Sequence, residues 1–299
     1  MIVGIDIGGT TTKLGLVDGG RLITRSRIPT TGHADEHAFA DALTQAVRAL
    51  PASSLKAVGI GAPNGNQLTG IIDRAPNLPW KNDVPLARMI GDRLGVPCVL
   101  GNDANAAALG EWRYGAGRGC NDLLVVTLGT GLGSGFIVNG QLVLGPFGNA
   151  GELGHSIIVI DGRPCTCGRR GCLEAYVSIR GMRQTYLELA DSTVLLKDDG
   201  VKPIADAASR GEDAAVQTFR DTARWLAVAL ANAVAHTCPA RIILFGGIAR
   251  NGDVLMNPLK RMFERDLLNI YQGKVEILLS GLPEDDAGIL GAAALADQG

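Results

Sequence analysis

The sequence predicts two α/β domains with a cleft between them and a metal-binding loop in the second domain. Three observations support this prediction: two segments share one strand–turn–strand pattern, apolar strands alternate with amphipathic helices, and four potential zinc ligands fall within one short segment. Alternating strands and helices are typical of α/β folds, in which helices cover a largely parallel sheet. At 299 residues the chain is long enough for two such domains.

The two similar segments are residues 2–22 (IVGIDIGGTTTKLGLVDGGRL) and residues 123–142 (LLVVTLGTGLGSGFIVNGQL). Each contains an apolar strand, a turn rich in Gly and Thr, a second strand, and an Asp-Gly or Asn-Gly hairpin turn. Gly8 of the first segment therefore corresponds to Gly129 of the second. The matched pattern predicts an internal duplication.

Further helices and strands follow each of these segments. The predicted helices cover residues 34–50, 85–94, 105–114, 174–189, 213–237 and 254–271, and the predicted strands cover residues 57–61, 96–100, 240–245 and 275–279. No long linker interrupts this order, and the pattern breaks only in the Gly-rich residues 110–121. We therefore predict an N-terminal small domain at residues 1–115, a larger domain at 116–285, and a C-terminal helix at about 286–299 that packs back on the first.

Composition and charge argue against several classes of partner. The net charge is −2, from 28 Lys and Arg against 30 Asp and Glu, so no basic surface is expected for nucleic acid. The most apolar stretch, residues 226–235, is too short to cross a bilayer and contains Asn232. The first residues form an apolar strand that includes Asp6, unlike a secretory leader. We expect a cytoplasmic protein without a membrane or nucleic-acid partner.

Residues 151–178 contain four candidate metal ligands, namely His155, Cys165, Cys167 and Cys172. Tetrahedral zinc takes this mixture of imidazole and thiolate ligands. The alternative is ordinary thiols or one disulfide, but a Cys/His cluster in a reducing compartment more often binds metal. Because four protein ligands leave no position for a metal-bound water, the sequence predicts structural Zn²⁺ rather than a catalytic ion.

The two Gly- and Thr-rich turns are candidate phosphate-binding sites, because exposed backbone N–H groups and Thr hydroxyls suit phosphate oxygens. The turn residues are Gly8, Gly9 and Thr10 in the first segment, and Gly129, Thr130 and Gly131 in the second. Asp6 precedes the first turn and suits Mg²⁺ held through water. Neither turn has the pattern of a Walker P-loop or of a GxGxxG turn that opens a helix. Lys13 is either a phosphate contact or a solvated lysine of a strand.

Asn102 and Asp103 follow a predicted strand, at the end where α/β proteins bind ligands. One interpretation is a helix N-cap. The other is that Asp103 accepts a proton from a substrate hydroxyl, as the general base does in phosphoryl transfer. Asn77 lies in the Pro-bounded loop at residues 75–80, where it either presents an amide to a polar ligand or belongs to a simple connection.

Taken together, these motifs resemble the ROK family of sugar kinases, within the hexokinase/actin-like ATPase superfamily. The motifs are DIGGT at residues 6–10, GAP at 61–63, PNLPW at 76–80, NDANAAALGE at 102–111, LGTGLGSG at 128–135, and the Cys-rich segment beginning GELGH at 151. The resemblance covers essentially the whole chain and implies two actin-like (ribonuclease H-like) domains. The PNLPW loop is most similar to that of the glucokinase branch.

The resemblance implies a role for each matching residue. It makes Asp103 the catalytic base that activates the sugar 6-hydroxyl, and it makes His155 a ligand of both zinc and sugar. The implied sugar-binding residues are Asn77, Asn102, Asp103, Glu152, His155 and Glu174. The two Gly/Thr turns hold ATP phosphates, and Gly246 and Gly247 match the adenosine-binding turn. The chain departs from the family pattern at Gly101, where an acidic residue is common, and at Asn64, where Gly is common.

The function implied by the resemblance is that of an ATP- and Mg²⁺-dependent hexose kinase in glycolysis. It converts D-glucose to glucose 6-phosphate, with domain closure excluding water. N-acetylmannosamine, N-acetylglucosamine, fructose or allose are alternative substrates. A non-catalytic sugar-sensing regulator is less favoured because Asp6 and Asp103 are intact. A non-kinase ATPase of the superfamily has no need of residues 151–178, which we call the zinc segment. A homodimer is expected by analogy.

Overall fold

The computed structural model describes residues 1–190 and 200–297, which form an α/β architecture. The strands are β1 (Ile2–Ile7), β2 (Thr11–Asp18), β3 (Arg21–Pro29), β4 (Ala57–Ala62), β5 (Gly65–Asn66), β6 (Ile71–Ile72), β7 (Cys98–Asn102), β8 (Leu123–Leu128), β9 (Leu132–Val138), β10 (Gln141–Leu142), β11 (Arg241–Phe245) and β12 (Glu276–Leu279). The helices are α1 (Glu36–Arg48), α2 (Leu86–Leu94), α3 (Asp103–Tyr114), α4 (Glu174–Val177), α5 (Ile179–Leu189), α6 (Lys202–Ser209), α7 (Asp213–Thr237), α8 (Asp253–Asp266) and α9 (Glu284–Ala296).

The two main sheets have five strands each, in the orders β3-β2-β1-β4-β7 and β10-β9-β8-β11-β12. In the first sheet β1 pairs antiparallel with β2 and parallel with β4, and β4 pairs parallel with β7. In the second sheet β11 pairs parallel with both β8 and β12. The two orders correspond strand for strand, as the predicted internal duplication requires. The predicted fold class, with mixed sheets and covering helices, is confirmed.

The chain divides into two compact units. Unit 1 consists of Met1–Asn121, Gly135–Gly151 and Gly281–Gly299, and unit 2 consists of Asp122–Ser134 and Glu152–Ser280. The domain limits predicted at residues 1–115 and 116–285 stay a prediction. No helix of the described residues is long and apolar enough to cross a bilayer.

In unit 1 the helix α9 lies directly against the sheet. A Cβ atom at Gly4 would lie 2.0 Å from the carbonyl oxygen of Ile289, and one at Gly59 would lie 1.8 Å from that of Ala292. Only glycine therefore fits at these two strand positions, since real Cβ atoms do not approach backbone so closely. Of the helix predicted at about 286–299, residues 298 and 299 lie outside the described residues.

Three predicted element boundaries are wrong. The helix predicted from residue 105 begins at Asp103, because the side chain of Asn102 accepts hydrogen bonds from the N–H groups of Ala104 and Asn105 and so caps the helix earlier. The strand predicted at residues 96–100 is observed two residues later, as β7 (Cys98–Asn102). The helix predicted at 174–189 is interrupted at Ser178, which is extended and whose hydroxyl caps α5 by accepting the Gly181 N–H.

Two further differences concern helices in unit 2. The helix predicted at 254–271 ends at Asp266, because the next residue, Leu267, adopts extended backbone. The helix α6 was not predicted. It carries Pro203 in its first turn, where the missing proline N–H costs no intrahelical hydrogen bond. Between these two helices, α7 occupies the predicted residues 213–237.

Candidate active site and metal centre

The first Gly/Thr turn, between β1 and β2 in unit 1, is held by hydrogen bonds to its own ends and to the end of β3. The N–H of Gly8 donates to the carbonyl of Thr11 at 3.1 Å, and the hydroxyl of Thr30 donates to the carbonyl of Gly8 at 2.7 Å. The hydroxyl of Thr12 lies 2.8 Å from that of Thr30. Thr30 is buried and was not identified from the sequence, because a Thr at a strand end carries no specific signal.

Asp6 and Asp103 form a pair of electrostatically coupled carboxylates in unit 1. Burial, followed by the negative charge of Asp103, raises the pKa of Asp6 to about 6, while the positive charge of Lys13 partly opposes this shift. Lys13 is the direct cross-strand neighbour of Asp6 in the β1–β2 pair. Two neighbouring carboxylates suit a divalent cation, whose charge would favour their ionised forms, whereas the Lys13 ammonium disfavours such an ion.

Asp103 stands at the first position of α3, immediately after β7. One carboxylate oxygen accepts the N–H of Ala104 at 2.9 Å, and the amide oxygen of Asn102 accepts the same N–H at 2.9 Å. Its side chain remains accessible to solvent, yet the surrounding protein removes enough hydration to raise the pKa of the carboxyl group. The residue thus combines an accessible oxygen with increased basicity, which are the two requirements for a general base.

The PNLPW loop lies beside the first Gly/Thr turn. A Cβ atom at Gly9 would lie 3.0 Å from the carbonyl oxygen of Asn77, so the two backbones are in close contact. Leu78 and Trp80 anchor the loop in the core of unit 1, where the Trp80 ring lies 4.7 Å from that of Phe39. The side chain of Asn77 itself is exposed. The rigid anchors fix the loop while leaving this amide available to a ligand.

The second Gly/Thr turn, in unit 2, lies next to the Gly246-Gly247 turn. The N–H of Gly129 donates to the carbonyl of Gly131 at 3.0 Å. A Cβ atom at Gly246, whose φ is +102°, would lie 2.4 Å from the carbonyl oxygen of Leu128, the residue that precedes this turn. On its other side, the carbonyl of Gly129 accepts the N–H of Ile179 at 2.9 Å. The turn therefore lies between the predicted adenosine turn and the N-terminus of α5.

The four candidate zinc ligands converge in unit 2, with ligand atoms that all lie within 4.8 Å of one another. The Sγ atoms of Cys167 and Cys172 are 3.7 Å apart, and Sγ of Cys165 is 3.7 Å from Nδ1 of His155. Thiolates bound to one tetrahedral zinc at about 2.3 Å would lie about 3.8 Å apart. Both the donor set and its spacing therefore fit a tetrahedral Cys₃His zinc site.

Backbone geometry and a basic side chain prepare the cysteines for metal. A Cβ atom at Gly171, whose φ is +80°, would lie 1.7 Å from the carbonyl oxygen of Val159, so glycine is required next to Cys172. Although desolvation opposes ionisation, hydrogen bonds from Arg169 and the neighbouring thiols lower the pKa of Cys167 to about 6. The thiolate is the form that binds metal, so this effect prepares Cys167, whereas burial raises the pKa of Cys172.

Glu152 and Glu174 flank the metal centre. One oxygen of Glu152 lies 3.9 Å from Nε2 of His155, the ring nitrogen opposite the one that faces Cys165. One oxygen of Glu174 accepts the N–H of Leu132 at 3.0 Å, directly after the second Gly/Thr turn. Its other oxygen lies 3.4 Å from the hydroxyl of Thr166. Glu174 thus connects the second Gly/Thr turn to the Cys-rich loop.

The predicted site residues fall into two groups. Those in unit 1 are Asp6, Gly8, Gly9, Thr10, Lys13, Asn77, Asn102 and Asp103, and those in unit 2 are Gly129, Thr130, Gly131, Glu152, His155, Cys165, Cys167, Cys172, Glu174, Gly246 and Gly247. Sequence reasoning missed Arg163, whose guanidinium contacts α4 and α5. Its position inside the Cys-rich segment is a signal that it shares with Arg169 and Arg170.

The fold and these motifs together define a member of a known family. A sequence model of the ROK family matches residues 2–299, and the chain belongs to this family. It is 36% identical to the glucokinase of Streptomyces coelicolor over 311 aligned positions, which cover 99% of this chain and 97% of that protein.

Two other relatives show the range of the family. The crystal structure of a ROK family glucokinase from Streptomyces griseus, in complex with glucose and AMPPNP, is 36% identical, with a TM-score of 0.83; the match covers 100% of this chain and 99% of that one. A putative xylose repressor of Caldicellulosiruptor sp. is 31% identical over 99% of this chain but only 77% of its own length. Both kinases and repressors are therefore similar to this chain.

Proposed function

We propose that this protein is an ATP-dependent glucokinase that transfers the γ-phosphoryl group to the 6-hydroxyl of D-glucose, giving glucose 6-phosphate and ADP. The observation that carries the proposal is the Asp103 carboxylate, which is accessible and has a raised pKa at the start of α3. The support from relatives is the similarity to glucokinases over almost the whole chain, including one solved with glucose and an ATP analogue.

In the proposed reaction Asp103 accepts the proton of the sugar 6-hydroxyl as that oxygen attacks the γ-phosphorus. Because a raised pKa makes the carboxylate a stronger base, proton transfer is more favourable than it would be to an ordinary surface aspartate. Asn77 and Asn102 are proposed to bind other sugar hydroxyls, together with Glu152, His155 and Glu174 of unit 2. The Asn102 amide oxygen already caps α3, so its amide nitrogen is the group left to donate to the sugar.

The donor phosphates are proposed to bind at the two Gly/Thr turns, with Lys13 as a further cationic contact. Asp6 would hold Mg²⁺, which supplies charge neutralisation for the phosphates. The N–H groups of Gly8 and Gly129 donate within the turns and fix the turn backbone. The other N–H groups of the turns are proposed to bind the anion with little reorganisation. Gly246 and Gly247 are proposed to contact the adenosine.

Zinc is proposed to have a structural role. With three thiolates and His155 as ligands, the ion would fix the imidazole so that Nε2 stays available to the sugar, beside Glu152. The metal would therefore orient two substrate-binding groups without contacting the substrate. A cytoplasmic homodimer that acts in glycolysis completes the proposal.

The decisive experiment is a coupled ADP-release assay with ATP and Mg²⁺ and with five sugars: glucose, N-acetylmannosamine, N-acetylglucosamine, fructose and allose. The expected result is the highest kcat/KM for glucose. A higher kcat/KM for another sugar would replace glucose as the substrate. Glucose binding without ADP release from any sugar would favour a sugar-sensing regulator, the alternative that the similarity to a repressor supports.

A further inference from the structure

A cavity of about 600 Å³ lies beside the second Gly/Thr turn, entirely within unit 2. Its walls include Thr130 of the turn and residues along α5, with Ile179 and Leu187 supplying apolar surface. The carbonyl of Gly129 accepts the N–H of Ile179, a residue that lines the cavity. The cavity therefore lies directly next to the proposed phosphate site. A mostly apolar space of this size at that point suits the nucleoside part of the donor.

The helix α5 has two distinct faces. Arg180, Arg183, Gln184 and Leu187 line the cavity, and their spacing of three and four residues places them on one face. Gly181 and Thr185 occupy the opposite, buried face, where both contact the guanidinium of Arg163. Arg163 therefore contacts the buried face of α5, and the opposite face lines the cavity.

Arg163 is itself anchored in the zinc segment. Its Nη1 donates to the carbonyl of Gly181 at 3.1 Å and to the hydroxyl of Thr185 at 2.9 Å, and its guanidinium carbon lies 4.8 Å from the centre of the Tyr176 ring. Its Nη2 donates to Oε2 of Glu188. The Arg163 side chain is only 14% exposed, so its contacts with Gly181 and Thr185 are shielded from water and constrain the guanidinium. The Glu188 side chain is 55% exposed, so the Arg163–Glu188 contact lies at the surface.

Glu188 connects Arg163 to Gln184, which lines the cavity. Its second oxygen, Oε1, accepts a hydrogen bond from Nε2 of Gln184 at 2.9 Å. A carboxylate paired with arginine can only accept, so the amide of Gln184 must turn its NH₂ group toward Glu188. The amide oxygen is then the acceptor that Gln184 has to offer to a ligand, beside the second N–H of its NH₂ group.

We propose that the relay Arg163–Glu188–Gln184 makes Gln184 a hydrogen-bond acceptor for the exocyclic amine of the donor base, so that adenine is selected over a base with a keto group there. This inference rests on the proposed kinase function and assigns the base selectivity to one side chain. Gln184 is the specificity-determining residue, and Arg163 and Glu188 are positioning residues that fix the direction of its amide.

The test is calorimetric binding of ATP and of inosine triphosphate, which carries a keto group in place of the 6-amino group, both with Mg²⁺. The wild type is expected to bind ATP roughly 10-fold more tightly, as one satisfied rather than mismatched hydrogen bond implies. Gln184→Leu is expected to bring the two affinities within about 2-fold by weakening ATP. Glu188→Gln, which lets the amide of Gln184 turn, is expected to reduce the ratio by raising the affinity for inosine triphosphate.

The control is Gln217→Leu, because Gln217 donates to Asp221 at 2.9 Å in the same i,i+4 arrangement on α7, away from the cavity. Gln184→Ala repeats the test with a smaller side chain. An equal affinity of the wild type for the two nucleotides, or an unchanged ratio in both Gln184 variants, would overturn the inference. Because binding is measured directly, a protein that shows this selectivity but phosphorylates no sugar would contradict the proposed function and leave the inference standing.

Discussion

Asp103 shows how local backbone structure prepares one residue for chemistry. The preceding Asn102 uses its side chain to cap α3, so the helix begins with Asp103 in a fixed position. Desolvation raises the pKa of the Asp103 carboxyl group, and the Ala104 N–H partly opposes this shift. The helix cap and the proposed base are thus adjacent residues with separate tasks, although the sequence alone left both interpretations open for the pair.

Asp103→Asn is expected to lower kcat by about 10²- to 10⁴-fold, because the amide cannot accept the hydroxyl proton. Binding of glucose, measured by calorimetry, is expected to change much less, since the side chain keeps its size and hydrogen-bonding capacity. The control is Asp18→Asn at the exposed end of β2. Near wild-type activity of the Asp103 variant would remove this residue from the role of base.

Asp6 predicts a dependence of stability on pH in metal-free buffer. Its pKa in the folded protein is about 6, above the ordinary value of 3.8, so the folded state favours the protonated form. The carboxylate therefore destabilises the fold above pH 6, and this penalty is relieved as the pH falls from about 6 to 4. We expect Asp6→Asn to be more stable than the wild type at pH 7.5, by about 1–3 kcal/mol, with a smaller difference at pH 5.

Urea unfolding of both proteins at the two pH values measures this difference. A difference that is constant between pH 7.5 and pH 5 would contradict the raised pKa. Addition of Mg²⁺ at pH 7.5 is expected to stabilise the wild type selectively, because a cation at Asp6 favours the ionised carboxylate.

At the scale of elements, hydrogen bonds connect the ligands of the zinc segment to one another. Arg169 donates to the carbonyl of His155, and the N–H of Cys165 donates to the carbonyl of Arg169, so the ligands are connected through backbone. The sequence predicted the ligand set because four Cys and His residues in a short span are specific. It did not predict the link to α5, since nothing in the sequence pairs Arg163 with a glutamate 25 residues later.

Purified protein is expected to contain about one zinc per chain, because the four ligands form a closed set. Cys172→Ser is expected to lose the metal, to lower the melting temperature and to raise the KM for glucose, because His155 is no longer fixed. Metal analysis by mass spectrometry and steady-state kinetics test this. Cys238→Ser, at an exposed cysteine outside the cluster, is the control, and active wild-type protein without zinc would refute the assignment.

Two helix starts that the sequence missed share one physical cause. Side-chain capping decides where a helix begins, and Asn102 and Ser178 each accept N–H groups that hydrophobic periodicity does not register. The long helix α7 was predicted at its observed ends, because its hydrophobic periodicity continues over all 25 residues. Periodicity therefore identifies an element, while its limits depend on individual polar contacts.

At the scale of the whole molecule, the internal duplication was the strongest guide to the fold. Two matched Gly/Thr turns in the sequence correspond to two sheets with equivalent strand orders. The residues of the two units interleave along the chain, since 135–151 belong to unit 1 although they follow the start of unit 2. Such non-local membership depends on tertiary contacts and is not visible in local sequence patterns.

The proposed homodimer is tested by light scattering coupled to gel filtration. The expected mass is twice that of the 31.1 kDa chain. The same measurement on the Cys172→Ser variant shows whether the zinc segment contributes to association. A mass equal to one chain at micromolar concentration would exclude a stable homodimer.

The close packing of α9 has a consequence for how the protein is made. Unit 1 contains both the sheet of residues 2–102 and the helix α9, far later in sequence, which fills the space left by Gly4 and Gly59. While the ribosome is still translating, the N-terminal sheet lacks its covering layer and cannot complete its core, although residues 122–280 are emerging in order. Native unit 1 must therefore form after α9 has been synthesised, and a chain that stops before residue 281 would lack this covering layer.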